Sequence, residues 1–323
     1  VYILDPSGTE LCNWQVPSVN GSLSDIATPI TVGMVNGKEH AFFGSTRFLV
    51  ALNTADCKPL WTHPNQYLHS RPAHDAAADV LYVGAYGGVA TRARLEAVRA
   101  STGQLLGTFD AGAINSGLHC SPGLSSDGKT VYVGDNETPT LYALDVSNPA
   151  SMQARWSKAT SDKVKARPLV TPQAIYVAAE GGGQTLHAFA PADGSPLPNF
   201  SFLAKSGFMT DPLLGADGEI YVGSQDGMFY SIDTNGKELA SFDVGGRMRN
   251  PVVGPGNIVY LPRLKPGRLV ALTSKLEPLW TAQPSSSTDH RFMGAPTISG
   301  STVYIGSTTG FLYAFDATPP TSN

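Results

Sequence analysis

The chain has 323 residues, a net charge of −4, 15% charged residues and no apolar run long enough to span a membrane. Such a balance argues against a generally nucleic-acid-binding surface and against insertion of this domain into a bilayer. Glycine (34) and proline (24) are abundant, as they are where many short strands are joined by tight turns. Length alone suggests two domains, but repeat architectures exceed that expectation as one unit.

The chain opens inside a repeat, on Val1-Tyr2-Ile3-Leu4-Asp5. That reads as a processed boundary, with further sequence expected at one or both ends. A strand of apolar-Tyr-apolar-Gly type then recurs seven times. It runs through Phe42-Phe43-Gly44, Leu81-Tyr82-Val83-Gly84, Val131-Tyr132-Val133-Gly134, Ile175-Tyr176-Val177-Ala178, Ile220-Tyr221-Val222-Gly223, Val259-Tyr260-Leu261-Pro262 and Val303-Tyr304-Ile305-Gly306. Each copy is followed by a second type, best seen in Leu141-Tyr142-Ala143-Leu144-Asp145, with relatives at 1–5, 49–53, 95–99, 186–190, 229–233, 269–273 and 312–316. Both types alternate in the period-two manner of half-buried strands. After a turn comes a strand ending in a large aromatic: Trp14, Trp61, Phe109, Trp156, Phe200 or Phe202, Phe242 and Trp280. These aromatics are expected to fill the space between neighbouring sheets. A proline precedes each Tyr-type strand, at Pro29, Pro72, Pro122, Pro168, Pro212, Pro251 and Pro296. Proline is tolerated at the first residue of a strand.

Four strands in each of seven such units predict an all-β, closed β-propeller of seven four-stranded blades. One propeller domain would cover 1–317, with 318–323 as a linker-like tail. The third-strand type occurs once more than the others, so eight blades is the alternative. In the seven-bladed solution the N-terminal outer strand, 9–16, completes the last blade and removes an open edge.

The phrase formed by residues 131–156, and again by 220–242 and 303–316, resembles the quinoprotein (pyrroloquinoline-quinone-like) propeller repeat. The resemblance covers essentially the whole chain. Similar repeats occur in quinone-dependent alcohol dehydrogenases, in the outer-membrane assembly lipoprotein of bacteria and in secreted proteins of unknown role. Those dehydrogenases use an adjacent Cys-Cys pair, an acidic base and calcium, none of which this sequence carries. The resemblance therefore implies a non-catalytic member, with no cofactor and no metal, in an extracytoplasmic setting: periplasmic, cell-surface or secreted.

In a propeller the residues before the seven prolines would ring one mouth of a central channel. The first and third positions before each proline are candidates to face it, and the fourth, mostly apolar, to lie between blades. The five-residue windows hold Arg71, Lys163, Lys165, Arg167, Arg247, Arg249 and Arg291, seven of the 22 Lys and Arg. Only Asp25 and Asp211 oppose them there. The loops of the same face add Arg47, Arg263 and Lys265, opposed by Glu137 and Glu180. A cationic mouth on an anionic protein focuses its field on anions, and the arginine fork grips two oxygens at once. The expected ligand-binding set is His69, Arg71, His119, Lys165, Arg167, Asp211, Arg247, Arg249, Asn250 and Arg291. The expected function is a binding or scaffold module for a protein partner or an anionic or polar glycan.

The alternative is a polysaccharide lyase acting on uronates. Arg71 or Arg167 would neutralise the carboxylate, His69 or His119 would take the C5 proton, and Tyr86 would serve as acid. Of three cysteines, Cys12 and Cys57 lie in or near outer strands of adjacent repeats, so a disulfide between them is open. Cys120 is expected on the packing side as a buried thiol.

Overall fold

The structure is a computed structural model, and it describes residues 1–17, 26, 28–64, 70–85, 94–111, 118, 120–135, 138–182, 185–284 and 289–317. The backbone forms two compact units: 1–174 with 190–194, and 175–189 with 195–323. Among the described residues the only helical segments are two short 3-10 turns, Pro149–Ser151 and Pro255–Asn257.

The first unit begins with the hairpin Tyr2–Leu4 and Glu10–Asn13. Three four-stranded antiparallel meanders follow. The first comprises Thr31–Val35, Lys38–Gly44, Phe48–Asn53 and Pro59–Pro64. The second comprises Ala73–Asp75, Val80–Ala85, Arg94–Arg99 and Leu105–Phe109. The third comprises Gly123–Leu124, Thr130–Asp135, Thr140–Asp145 and Gln153–Ala159. The strand Leu169–Val170 closes the unit.

The second unit holds four sheets. Ile175–Ala178 pairs with Thr185–Phe189, and that with Phe202–Leu203. Leu213–Leu214, Ile220–Gly223, Met228–Ile232 and Glu238–Asp243 form the next. Val252–Gly254, Ile258–Arg263, Arg268–Leu272 and Pro278–Ala282 form another. The last has three strands, Thr297–Ser299, Thr302–Gly306 and Leu312–Asp316. Sheets and repeats therefore coincide, seven for seven.

The burial pattern differs from simple half-burial. Val80–Ala85 and Thr130–Asp135 are buried at every residue. Alternation survives in outer strands such as Pro59–Pro64 and Glu238–Asp243. The reason is that a sheet here has neighbours on both faces. Leu81 and Val83 meet Phe42, Leu49 and Ala51 of the first sheet. Tyr82, one residue out of phase, meets Val131, Val133 and Leu144 of the third. In the second unit Tyr221 and Phe229 meet Val259, Leu261 and Leu272. Tyr260 and Leu269 in turn meet Val303 and Ile305. Strands buried on both faces read as near-continuous apolar runs.

Polar tips of the aromatics bolt neighbouring sheets. The Trp61 indole donates to the Ala100 carbonyl at 2.8 Å, and the Trp156 indole to Pro191 at 3.1 Å. Each ring lies over a turn glycine with positive φ, Gly103 and Gly194, where a Cβ would sit 2.7 and 2.6 Å from the indole. The strand tyrosines do the same one layer deeper. Tyr82 donates to Val146, Tyr221 to Ser274 or to Glu219, and Tyr260 to Ala317. A buried hydroxyl without such a partner would cost stability. Burial raises the pKa of all three phenols.

The N-terminal hairpin is the pairing of a third with a fourth strand that the repeat predicts: the partner of Glu10–Asn13 is Tyr2–Leu4. The Asp5 carboxylate accepts from the backbone N–H of Ser7 and Thr9, each at 2.9 Å, and Gly8 supplies the positive φ. The hairpin covers one face of the first sheet, with Val1, Ile3, Cys12 and Trp14 against Ala41, Phe43, Val50 and Leu52. Cys12 and Cys57 are joined in a disulfide with Cα atoms 5.7 Å apart, which settles the pairing the sequence left open.

That disulfide closes a loop with a sequence separation of 45. Replacing both cysteines by serine is expected to lower stability by about 2–4 kcal/mol. Denaturant melts and limited proteolysis of residues 1–17 check this. An unchanged midpoint would show that apolar packing alone holds the hairpin.

Candidate functional site

Each repeat reaches its inner strand through a lead-in segment ending at the proline. A small hydroxyl fixes the segment. Thr28, Ser70 and Thr210 accept the backbone N–H of Gly44, Gly84 and Gly223 at 2.7, 2.8 and 2.7 Å. These glycines end the Tyr-type strands, so the segment is tied to the most buried strand of its own sheet. The fourth residue before the proline is buried as expected at Leu118, Val164, Phe208 and Phe292.

The Pro251 repeat breaks this count. Met248 makes the bridge to Arg263 that Phe208 makes to Ser224 and Phe292 makes to Ser307. Its lead-in is therefore one residue shorter, and Met248, third before its proline, is buried. The shift moves Arg249 into the register of Met209 and Met293. Backbone bonds confirm it: Met209 N donates to Gly223 O, and Arg249 N to Pro262 O.

In the first unit Arg71 donates its backbone N–H to the Ser121 hydroxyl at 2.9 Å. Its side-chain Nε is buried without a hydrogen-bond partner. Arg167 turns its Nε to the Pro122 carbonyl at 3.2 Å, and Lys165 is exposed. Cys120 is a buried thiol that donates to the Val164 carbonyl. His69, His119 and Tyr86 lie outside the described residues, as does every step of a lyase reading that depends on them.

In the second unit Asp211 and Asn250 brace one another. The Asn250 amide donates to the Asp211 carboxylate at 2.8 Å, and its carbonyl oxygen accepts the Asp211 N–H at 2.9 Å. Arg247 and Arg291 are exposed. Their carbonyls accept the N–H groups of Leu264 and Thr308, which fixes the backbone and leaves the guanidinium groups outward. Arg249 is half-buried, with Nη2 3.9 Å from the Met293 sulfur and a buried Nε without a partner. Burial, and then the charge of Arg247, lower its pKa.

Arg263 belongs with this group although the expected set omitted it. Its guanidinium covers Gly245 and Gly246, where a Cβ at Gly246 would lie 3.2 Å from its Nε. That Nε is also buried without a partner. The signal was present in the repeat: Ser45, Ser224 and Ser307 hold this position elsewhere, and an arginine there is out of pattern.

Two other titratable groups are worth noting. Glu96, fully buried, meets Arg94 at 2.8 Å and His63 at 3.7 Å. His74 lies on Phe42 with ring centroids 5.0 Å apart and leaves room only for glycine at position 33. Among the described residues no three His, Cys, Asp or Glu side chains gather as metal ligands.

Comparison with known proteins agrees with the repeat. The sequence profile of the family described as outer membrane protein assembly factor BamB matches residues 91–197 and 182–319. The chain belongs to this family. The crystal structure of BamB from Moraxella catarrhalis superposes with a TM-score of 0.70 over 95% of this chain and 86% of that one, at 16% identity. At that identity the likeness shows the fold, and the chain is an all-β propeller of seven PQQ-like blades. The protein Rv3035 of Mycobacterium tuberculosis is 30% identical over 138 residues, 43% of this chain. The match spans 32% of the Mycobacterium protein's length.

Burial lowers the pKa of His74, against the smaller opposing pull of Asp79 and Asp75, and burial also lowers that of His187. The folded state then binds fewer protons than the unfolded chain. The stability these rings contribute is complete above their ordinary pKa of 6.5 and is lost as pH falls below it. Imidazole NMR titration is expected to place both midpoints below 6.5, with the melting temperature falling over the same window. Midpoints at or above that value would contradict the burial.

Proposed function

We propose that this chain is a non-catalytic binding or scaffold propeller that acts outside the cytoplasm and offers its arginine-bearing lead-in segments to an anionic partner, protein or polar glycan. One observation carries the reading. Among the described residues Arg71, Arg247, Arg249 and Arg291 make no ion pair. A folded protein normally pairs buried guanidinium nitrogens, and Arg71 and Arg249 each keep one buried and unpartnered. Such groups are poised for a ligand that supplies acceptor oxygens.

Two facts support the setting. The family's profile is described as an assembly factor of the outer membrane. The Cys12–Cys57 disulfide fits an oxidising compartment, where such bonds persist. Among the described residues no helix is long and apolar enough to cross a membrane.

The test is a binding panel of acidic peptides, uronate polymers and sulfated glycans, run at about 50 and 200 mM salt. At least one anionic class is expected to bind, more weakly at the higher salt because of screening, with no chain cleavage of the uronate polymers. Absence of any anion binding at low salt would remove the proposal. Turnover of a uronate polymer would replace it with the lyase reading.

A further inference from the structure

We infer that Arg247, Arg249 and Arg263 of the second unit form one carboxylate-binding subsite for an acidic segment of a partner polypeptide. The inference rests on the binding role proposed above and assigns that role a place and a chemistry.

The three arginines come from two adjacent stretches of one sheet. Arg247 and Arg249 sit on the lead-in to Val252–Gly254, and Arg263 ends Ile258–Arg263. The Met248–Arg263 bridge and the bond from Leu264 N to Arg247 O hold these stretches together. The Arg263 side chain lies across Gly245 and Gly246, whose φ values of 70° and 153° keep that turn open to it. Arg247 is close enough to Arg249 to disfavour its charge. Three like charges held together by backbone bonds repel one another, and the described residues give none of them a carboxylate.

The unmet hydrogen bonds define the ligand. Arg249 and Arg263 each keep Nε buried with no acceptor. With Nε turned inward, each guanidinium has its two Nη groups left for a ligand, a pair of donors that a carboxylate can meet with both oxygens. Beside them the thioether of Met293 is half-exposed, at 50%, against Arg249. An apolar, adaptable sulfur next to a cationic fork suits an acidic residue with an apolar neighbour, as peptides present, better than the hydroxyl-rich face of a sugar. Asp211, on the lead-in segment before Pro212, is already engaged by Asn250.

The test uses the intact chain and a fluorescein-labelled peptide of alternating Glu and Leu, followed by anisotropy. Arg249→Gln and Arg263→Gln are each expected to weaken binding by about tenfold or more, the scale of a lost charge-assisted hydrogen bond. Arg249→Lys keeps the charge but not the fork and is expected to stay weak. Lys275→Gln, the same charge change at an exposed position elsewhere in the unit, is expected to bind as the parent. Because Arg263 also covers a turn, exposed Arg247→Gln gives an independent reading, and melting curves verify that each variant is folded. If the parent binds the peptide and all three glutamine variants bind equally well, the subsite is wrong while the broader binding role stands. If sulfated or uronate glycans bind and lose affinity in these variants while the peptide does not bind, the polypeptide assignment is overturned in favour of glycan. If the parent binds no anion at all, both readings fall.

Discussion

Burial of the Tyr-type strand on both faces is the constraint from which the other features follow. A strand such as Val80–Ala85 hides all six residues, so one sheet cannot satisfy it. Such a sheet must find an apolar surface on either side. Fully burying a Val, Leu or Phe side chain is worth roughly 1.5–3 kcal/mol, and each sheet contributes several. The tyrosine within the strand then needs a partner for its hydroxyl, and the next sheet supplies a carbonyl. Register is fixed by the same requirement, because a slip of one residue would exchange the two buried faces.

The lead-in segments inherit this rigidity. Three are anchored by Ser or Thr hydroxyls to the glycines ending these strands, and the Pro251 segment by backbone bonds to Pro262 and Leu264. What a segment does not use for anchoring is left to face outward. In the Pro251 repeat the missing residue turns Arg249 into a position that Met209 and Met293 occupy elsewhere. In this register Arg249 places a charge where two other repeats place a thioether. The cationic group is a consequence of repeat geometry carrying exceptional residues, which is how a repeat fold acquires a particular binding role.

Much of the architecture was legible because burial on both faces imposes a strict pattern. The seven Tyr-type strands, the prolines and the outer aromatics all mark real sheets, and the buried fourth position before the proline is where the pattern put it. Other features depend on distance in space. Nothing in the run from Val1 to Val16 says that its hairpin lies on the sheet carrying Phe43. The Asp211–Asn250 brace joins lead-in segments 39 residues apart, with no local signature. Counting back from proline misplaced Met248, because the segment is anchored by its bridge to the strand. Arg263 was visible as a loop cation, but its place over Gly245 and Gly246 required the fold.

A ligand site on the lead-in segments requires that they be fixed by the strands they touch. Native-state amide hydrogen exchange at Gly44, Gly84 and Gly223 measures this directly, since these N–H groups are held by Thr28, Ser70 and Thr210. The three amides are expected to exchange as slowly as the strand amides of Val83 and Val222, only through global opening. Exchange at the rate of exposed turns such as 234–236 would contradict this, because these lead-in segments, that of Arg71 among them, would then have no fixed geometry to offer a ligand.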